Sequence, residues 1–171
     1  MSLANYVTLA RIALIPLVIV FLLLGFNGLA VIFFAILWFS DIIDGYLARR
    51  FQQVSDLGKL LDPLADKLLV MLVLIVLVGL GKADSIPVAI IAARELLVQG
   101  LRINLAKRSK KVEEAAPIGK LKAAFQFIAI FMLILGLPYA HWVLWLAVVL
   151  SLISGGTYLW QSKILKQLKL S

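Results

Sequence analysis

The chain has 171 residues, of which 63% are hydrophobic and only 15% are charged, whereas about a quarter of the residues in soluble domains are charged. A soluble domain of this size could not bury so much apolar surface. The composition therefore excludes a soluble enzyme, a disordered chain and, without any cysteine, a secreted disulfide scaffold. The net charge is +8, which in a membrane protein indicates cytoplasmic loops and contact with anionic lipids, not nucleic acid.

Six apolar stretches are long enough to cross a bilayer as helices, which takes about 20 residues each. In chain order they cover about residues 6–26, 29–49, 60–80, 86–106, 119–138 and 141–161. The first ten residues are weakly amphipathic, which predicts a short interfacial segment that turns into the first span. We therefore predict an all-α integral membrane protein, with residues 1–171 forming one domain built as a bundle of six transmembrane helices.

Six spans place both termini on the same side of the membrane, and lysine and arginine mark the cytoplasmic side. With cytoplasmic termini, the external loops keep Lys82 beside Asp84. The cytoplasmic segments then collect Arg49, Arg50, Lys59, Arg102, Lys107, Arg108, Lys110, Lys111, Lys120, Lys122, Lys163, Lys166 and Lys169. The cluster at 107–111 is most simply a patch that fixes orientation and binds anionic headgroups.

Acidic residues within apolar spans are costly and usually functional. Asp41 and Asp44 lie near the end of the second stretch, and Asp62 and Asp66 near the start of the third. Residues three or four apart share a helix face, and the short connection makes these two helices antiparallel neighbours. Four converging carboxylates would repel one another unless cations joined them. Aspartates that only pair with nearby Lys and Arg are the disfavoured alternative.

The donors in this group are oxygen atoms, with no cysteine and a distant His141, so Mg²⁺, Mn²⁺ or Ca²⁺ suits the site and zinc does not. Four aspartates can hold two such ions, an arrangement typical of displacement at phosphorus. Gly45 and Gly58 would let a ligand approach the backbone, and Arg49 lies within reach of a diphosphate. The pattern predicts a two-metal phosphate site.

The spacing of these residues resembles the CDP-alcohol phosphatidyltransferase family, whose pattern is D-x2-D-G-x2-A-R-x8-G-x3-D-x3-D. The matching residues are Asp41, Asp44, Gly45, Ala48, Arg49, Gly58, Asp62 and Asp66. The resemblance implies that the four aspartates bind two divalent cations, Mg²⁺ or Mn²⁺, and that Asp66 is also the general base. It also implies a CDP site formed by Asp41, Gly45, Ala48, Arg49 and Gly58, to which Asn5 and Thr8 belong unless they only cap an interfacial helix.

Other segments resemble the bacterial phosphatidylglycerophosphate synthases within this family. They are Asn5-x-x-Thr8-x-x-Arg11 with Pro16, Asp62-Pro-Leu-Ala-Asp-Lys67, Ala93-Arg94-Glu95 with Gly100-Leu-Arg102, and Gly119-Lys120-Leu-Lys122 with Gln126. This resemblance implies transfer of a phosphatidyl group from CDP-diacylglycerol to glycerol 3-phosphate with release of CMP. It also implies a homodimer in the bacterial inner membrane, with its active site on the cytoplasmic side.

An anionic acceptor also fits the placement of the cations. Arg94 and Arg102 are eight residues apart, so they share a helix face, and Lys120 and Lys122 enter the fifth span from the same side. We predict that these four residues bind the acceptor phosphate. The alternative is that the lysines only extend to the interface. Glu95 is interpreted as structural, paired with Arg94 or with an arginine of another span.

Two alternative functions remain at the level of sequence. The same chemistry could use another acceptor, either phosphatidylglycerol, as in a cardiolipin synthase, or an inositol phosphate; Ala123 stands where the family often has Thr. A small cation transporter would belong to a different class. It is disfavoured because transport sites usually lie at the bilayer midplane between repeats, whereas these aspartates cluster towards one face and no repeat is visible.

Overall fold

The structure is a computed structural model that describes residues 3–50, 56–109 and 117–161, with side chains at 10–40, 67–101 and 118–158. This part of the chain forms six α-helices and contains no strand. The helices are α1 (Leu3–Leu23), α2 (Asn27–Arg50), α3 (Asp56–Gly79), α4 (Ser85–Ser109), α5 (Pro117–Leu135) and α6 (Ala140–Gln161). Each predicted apolar stretch forms one helix, so the all-α prediction is confirmed.

Glycines end three of the helices. Gly25, Gly81 and Gly136, which follow α1, α3 and α5, have φ angles of +78°, +68° and +66°. After α1, the amide nitrogen of Phe26 lies 2.9 Å from the carbonyl oxygen of Phe21, which is the Schellman pattern that satisfies the last carbonyls of a helix. A side chain in this left-handed conformation would cost about 1–2 kcal/mol, so glycine fixes where these helices stop.

The start of the chain differs from the prediction. Helix α1 begins at Leu3 and continues to Leu23 without a break, with Pro16 inside it. The predicted turn between an interfacial segment and the first span is therefore wrong. Residues 3–15 contain neither Gly nor Pro, so the backbone has no local reason to leave the helix there.

The helices differ in how well they meet the length and apolarity of a membrane span. Among the described residues, the segments Ile118–Leu135 and Ala140–Tyr158 are long and apolar enough to cross a bilayer. Shorter apolar segments occur at Ala10–Leu23, Asn27–Ser40 and Lys67–Gly79. Six helices are thus confirmed, whereas a bundle with six membrane crossings stays a prediction.

Large apolar side chains also cover much of the exposed surface. Leu96 and Leu97 on α4 are 65% and 68% exposed, and Trp142 on α6 is 76% exposed. Soluble monomers rarely expose large contiguous apolar patches. The exposed side chains are therefore typical of helices that face lipid.

The chain divides into two compact units, which are described separately. The first unit comprises Met1–Ala83 with Ile130–Leu137, and the second comprises Asp84–Ala129 with Pro138–Ser171. The prediction of one domain over residues 1–171 remains a prediction.

In the first unit, α1 packs against both α2 and α3, and α2 also contacts α3. Ile15, Val18 and Leu22 are buried at intervals of three and four residues on α1, the spacing of one helix face. On α2, the largest fully buried side chain is Phe34. This apolar face holds α1 against the two helices that carry the predicted aspartates.

Lys82 joins three parts of the first unit. Its Nζ donates hydrogen bonds to Asn27 Oδ1 at 2.7 Å and to the backbone oxygen of Ile134 at 3.2 Å. Asn27 begins α2, and Ile134 lies in the last turn of α5, where carbonyl groups lack helical partners and the helix dipole favours a cation. This lysine therefore caps one helix and is tied to the start of another.

In the second unit, α4 packs against α6. A polar contact lies between Asp84, just before α4, and His141, near the start of α6. His141 Nδ1 is 3.0 Å from Asp84 Oδ2, and both side chains are 53% exposed. Pairs this exposed contribute little to stability, so the buried contacts of α4 and α6 are the more important ones.

Candidate active site

The predicted metal ligands lie on two consecutive helices of the first unit. Asp41 and Asp44 belong to the C-terminal half of α2, and Asp62 and Asp66 to the N-terminal half of α3. Their side chains fall outside the described side chains, so the structure does not test ligand geometry. The backbone is helical at all four positions. Residues three or four apart on a helix share a face, so the two aspartates of each helix lie on one face of it.

The four aspartates lie at matched distances, measured along their helices, from the connection between α2 and α3. Five residues separate the two helices. At a rise of 1.5 Å per residue, Asp44 lies about 9 Å before the end of α2, and Asp62 about 9 Å after the start of α3. Asp41 and Asp66 lie farther away, at about 14 Å and 15 Å along their helices. Each aspartate of α2 thus has a counterpart on α3 at a similar distance from the connection.

The other residues predicted to bind CDP lie on the same unit. Asn5 and Thr8 are part of α1; Gly45, Ala48 and Arg49 are part of α2; and Gly58 is part of α3. Their side chains, like those of the aspartates, lie outside the described ones. Among the described side chains no group of three metal-binding residues occurs, and this range contains none of the four predicted ligands.

A buried charged cluster lies in the second unit. Glu95 on α4 is 4% exposed, and its Oε1 accepts a hydrogen bond from Arg94 Nη1 at 3.0 Å and another from Lys122 Nζ on α5. Two cations share one carboxylate oxygen, so the three side chains carry a net charge of +1 away from water. A buried carboxylate requires such partners.

Arg94 is also fixed to α6. Its Nε donates to the backbone oxygen of Ser151 at 2.9 Å, and its Nη2 donates to Ser154 Oγ at 3.0 Å. A Cβ atom at Gly155 would lie 3.1 Å from Arg94 Nε, a tight contact that the guanidinium would have to relieve by shifting a few tenths of an ångström. The absence of a side chain at this position therefore lets the guanidinium lie across α6.

The four predicted acceptor-binding residues differ in their surroundings. Arg94 and Lys122 meet at Glu95, and Lys122 is only 8% exposed. Lys120 is exposed, because residues two apart point to different sides of a helix. Arg102 lies on α4, but its side chain is outside the described range. The predicted pairing of Glu95 with Arg94 is confirmed, and Lys122 is its second partner.

Arg11 and Gln126 are buried polar residues that were not assigned a role from the sequence. Arg11 is 2% exposed on α1, and Gln126 is 5% exposed on α5, one turn after Lys122. Each stands inside an apolar stretch, which is the signal that could have identified it, since polar groups within spans are costly. In the described part of the chain, Gln126 Nε2 is buried with no hydrogen-bond partner.

Comparison with known proteins agrees with this arrangement of helices and motifs. The family model described as CDP-alcohol phosphatidyltransferase matches residues 1–153. A CDP-diacylglycerol–glycerol-3-phosphate 3-phosphatidyltransferase of Rickettsia typhi is 39% identical over 172 residues, which cover 92% of this chain and 94% of the relative. The proteins of the same name from Bacillus subtilis and Pseudomonas fluorescens are 38% and 36% identical, over 92% and 94% of this chain and 93% and 86% of their own lengths. The chain therefore belongs to the CDP-alcohol phosphatidyltransferase family.

Proposed function

We propose that the protein transfers the phosphatidyl group of CDP-diacylglycerol to glycerol 3-phosphate, forming phosphatidylglycerophosphate and CMP. The observation that carries this proposal is the identity of 36–39% to relatives named for that reaction, over more than nine-tenths of this chain. The match extends well beyond the aspartate motif, over the helices that carry the proposed acceptor-binding residues. The reaction is a step of phospholipid biosynthesis.

The proposed metal ligands are Asp41, Asp44, Asp62 and Asp66. CDP-alcohol phosphatidyltransferases generally depend on divalent cations, and four carboxylates on two neighbouring helices form a donor set that suits two Mg²⁺ or Mn²⁺ ions. Bound there, such ions would neutralise the diphosphate and stabilise charge on the leaving oxygen. The support for this assignment is the chemistry of the donors and their matched positions along α2 and α3.

Asp66 is the proposed general base. Its carboxylate accepts the proton of the acceptor hydroxyl, whose oxygen forms a bond with the β-phosphorus of CDP-diacylglycerol. The bond from that phosphorus to the bridging oxygen breaks, and CMP leaves with the oxygen and its electron pair. A positioned base of this kind contributes about 10²–10⁴-fold to a rate.

The proposed CDP site uses small residues and one cation. Gly45, Ala48 and Gly58 leave room for a nucleotide diphosphate against α2 and α3, and Arg49 can donate two hydrogen bonds to phosphate oxygens. Asn5 and Thr8 on α1 complete the proposed site, which is supported by the packing of α1 against both helices.

For the acceptor phosphate we propose Arg94 and Lys122, with Arg102 and Lys120 contributing from the same two helices. The meeting of Arg94 and Lys122 at one oxygen of Glu95 supports binding of an anion by these two cations. Three of the five N–H groups of the Arg94 side chain are used within the protein, so two remain for a ligand. A phosphate monoester offers enough acceptor oxygens for both cations.

We also propose how the protein lies in the membrane. The six helices cross the bacterial inner membrane, both termini and the active site are cytoplasmic, and basic residues contact anionic lipids. The proposal is supported by the apolar helices and by the accumulation of Lys and Arg on one side of the predicted spans. A homodimer, expected from the family resemblance, is the proposed assembly.

The function is tested by measuring CMP release from CDP-diacylglycerol by the purified protein in detergent, with Mg²⁺ or Mn²⁺ and each candidate acceptor. Glycerol 3-phosphate should support release, chelation by EDTA should stop it, and Asp66→Asn should lower it about 10²–10⁴-fold. Asp84→Asn is the matched control, because this exposed carboxylate lies outside the proposed site.

Two results would contradict the proposal. An Asp66→Asn variant that retained full activity would exclude Asp66 as the base. Release of CMP with an inositol phosphate or with phosphatidylglycerol, but not with glycerol 3-phosphate, would assign a different acceptor to the same chemistry.

A further inference from the structure

Gln126 is a buried amide in an otherwise apolar part of α5. Gln126 is 5% exposed, and its Nε2 has no hydrogen-bond partner in the described part of the protein. The next residues of α5 towards its C-terminus, from Phe127 to Leu135, are all apolar. Buried donors are almost always paired because an unpaired one is costly, so Nε2 is available to an acceptor supplied from outside the protein.

The position of Gln126 links it to the cation cluster. Gln126 follows Lys122 by four residues on one helix, which places the two on the same face with their Cβ atoms about 5–6 Å apart. Lys122 is paired with Glu95, which also holds Arg94. A neutral N–H donor therefore stands one helical turn beyond two buried cations that share a carboxylate.

This combination suits an oxygen-rich anion better than a structural role. Glu95 already pairs with both Arg94 and Lys122, so Gln126 is not needed as their partner. A leucine or methionine would fill the same volume without burying an unpaired amide. Binding of a phosphate or hydroxyl oxygen would satisfy Nε2 and complement the positive charge beside it.

We infer that Gln126 is a specificity-determining residue that donates a hydrogen bond from Nε2 to an oxygen of the acceptor. The inference rests on the proposed function, because it takes glycerol 3-phosphate as the ligand of the second unit. It adds a neutral donor to the cations proposed for the phosphate. An acceptor that lacked an oxygen at that position would leave the amide unpaired and be discriminated against.

The test separates a ligand-binding role from a structural one in Gln126→Leu and Gln126→Met, both close to glutamine in size. Each should raise the KM for glycerol 3-phosphate by about 10–100-fold, the effect of losing one hydrogen bond to a charged ligand. The KM for CDP-diacylglycerol should not change. The thermal unfolding temperature should be unchanged or higher, because an unpaired buried donor has been removed.

Thr157→Val is the matched control within the second unit. It removes a hydroxyl whose hydrogen bond is local, from Thr157 Oγ1 to the backbone oxygen of Ser154 at 3.0 Å. This variant should leave both KM values at the wild-type level. The methionine variant keeps the test open if the leucine variant does not fold, since a flexible side chain adapts to its surroundings.

The outcomes distinguish this inference from the proposed function. If the wild-type protein releases no CMP with glycerol 3-phosphate, both are wrong. If the wild type is active and both Gln126 variants keep its KM for glycerol 3-phosphate, the inference alone is overturned. A lower unfolding temperature with unchanged KM would likewise make Gln126 structural.

Discussion

Replacing Glu95 by leucine should destabilise the second unit strongly. The side chains of Arg94 and Lys122 are 11% exposed and that of Glu95 is 5% exposed, so the ion pairs are largely removed from water. Loss of the carboxylate changes the net charge of the cluster from +1 to +2 and leaves both cations without it. Removing one member of a buried ion pair costs about 3–5 kcal/mol.

This cost converts into a measurable shift. For a chain of 150–250 residues, 1 kcal/mol lowers the unfolding temperature by about 2–4 °C, so Glu95→Leu should unfold about 6–20 °C below the wild type. Intrinsic fluorescence in detergent can follow the transition, since the chain has four tryptophans. Asp84→Asn, at a half-exposed polar contact with His141, is the control and should change stability by about 1 kcal/mol or less.

A second variant tests the electrostatic cause. Glu95→Leu combined with Lys122→Met returns the net charge of the cluster to +1 and replaces the Glu95–Lys122 pair by apolar groups, which is often neutral or stabilising. The double variant should therefore recover most of the lost stability, although not the activity. An unfolding temperature for Glu95→Leu within about 2 °C of the wild type, or no recovery in the double variant, would refute the reasoning.

Two further substitutions test individual contacts by thermal unfolding. Gly155→Ala should destabilise the protein, because the new Cβ would lie 3.1 Å from Arg94 Nε. Gly156→Ala meets no atom within 4 Å and should stabilise the helix by up to about 1 kcal/mol. A Gly155→Ala variant more stable than Gly156→Ala would contradict the packing. Lys82→Met should cost about 1–3 kcal/mol by removing the hydrogen bonds to Asn27 Oδ1 and to a backbone oxygen of α5, and an unchanged unfolding temperature would show that these bonds add nothing.

The helices could be predicted from the sequence because their signals are local. Apolar stretches of about 20 residues and the glycines at the ends of α1, α3 and α5 place the elements within a few residues. The predicted fifth stretch ran to residue 138, whereas α5 ends at Leu135, because Gly136 adopts a positive φ that stops the helix. The turn predicted before the first span was wrong, because weak amphipathicity does not itself break a helix; the interfacial position of the segment stays a prediction.

The candidate site was less predictable where contacts join distant parts of the chain. Glu95 and Lys122 are 27 residues apart, and no periodic pattern connects them. Lys120 and Lys122 look equivalent in sequence, yet one is exposed and the other buried. The aspartate motif, in contrast, is encoded by fixed spacings along two helices, so its placement on α2 and α3 could be read directly from the sequence.

The bonds that hold Arg94 have a consequence for affinity. A free arginine side chain loses considerable rotational entropy when a ligand immobilises it. Here the hydrogen bonds to Ser151, Ser154 and Glu95 have already fixed the guanidinium during folding, so an anion that reaches its remaining N–H groups meets a preorganised partner. Lysine could not replace it, because a single ammonium group lacks the planar, branched geometry that spans three separate acceptors.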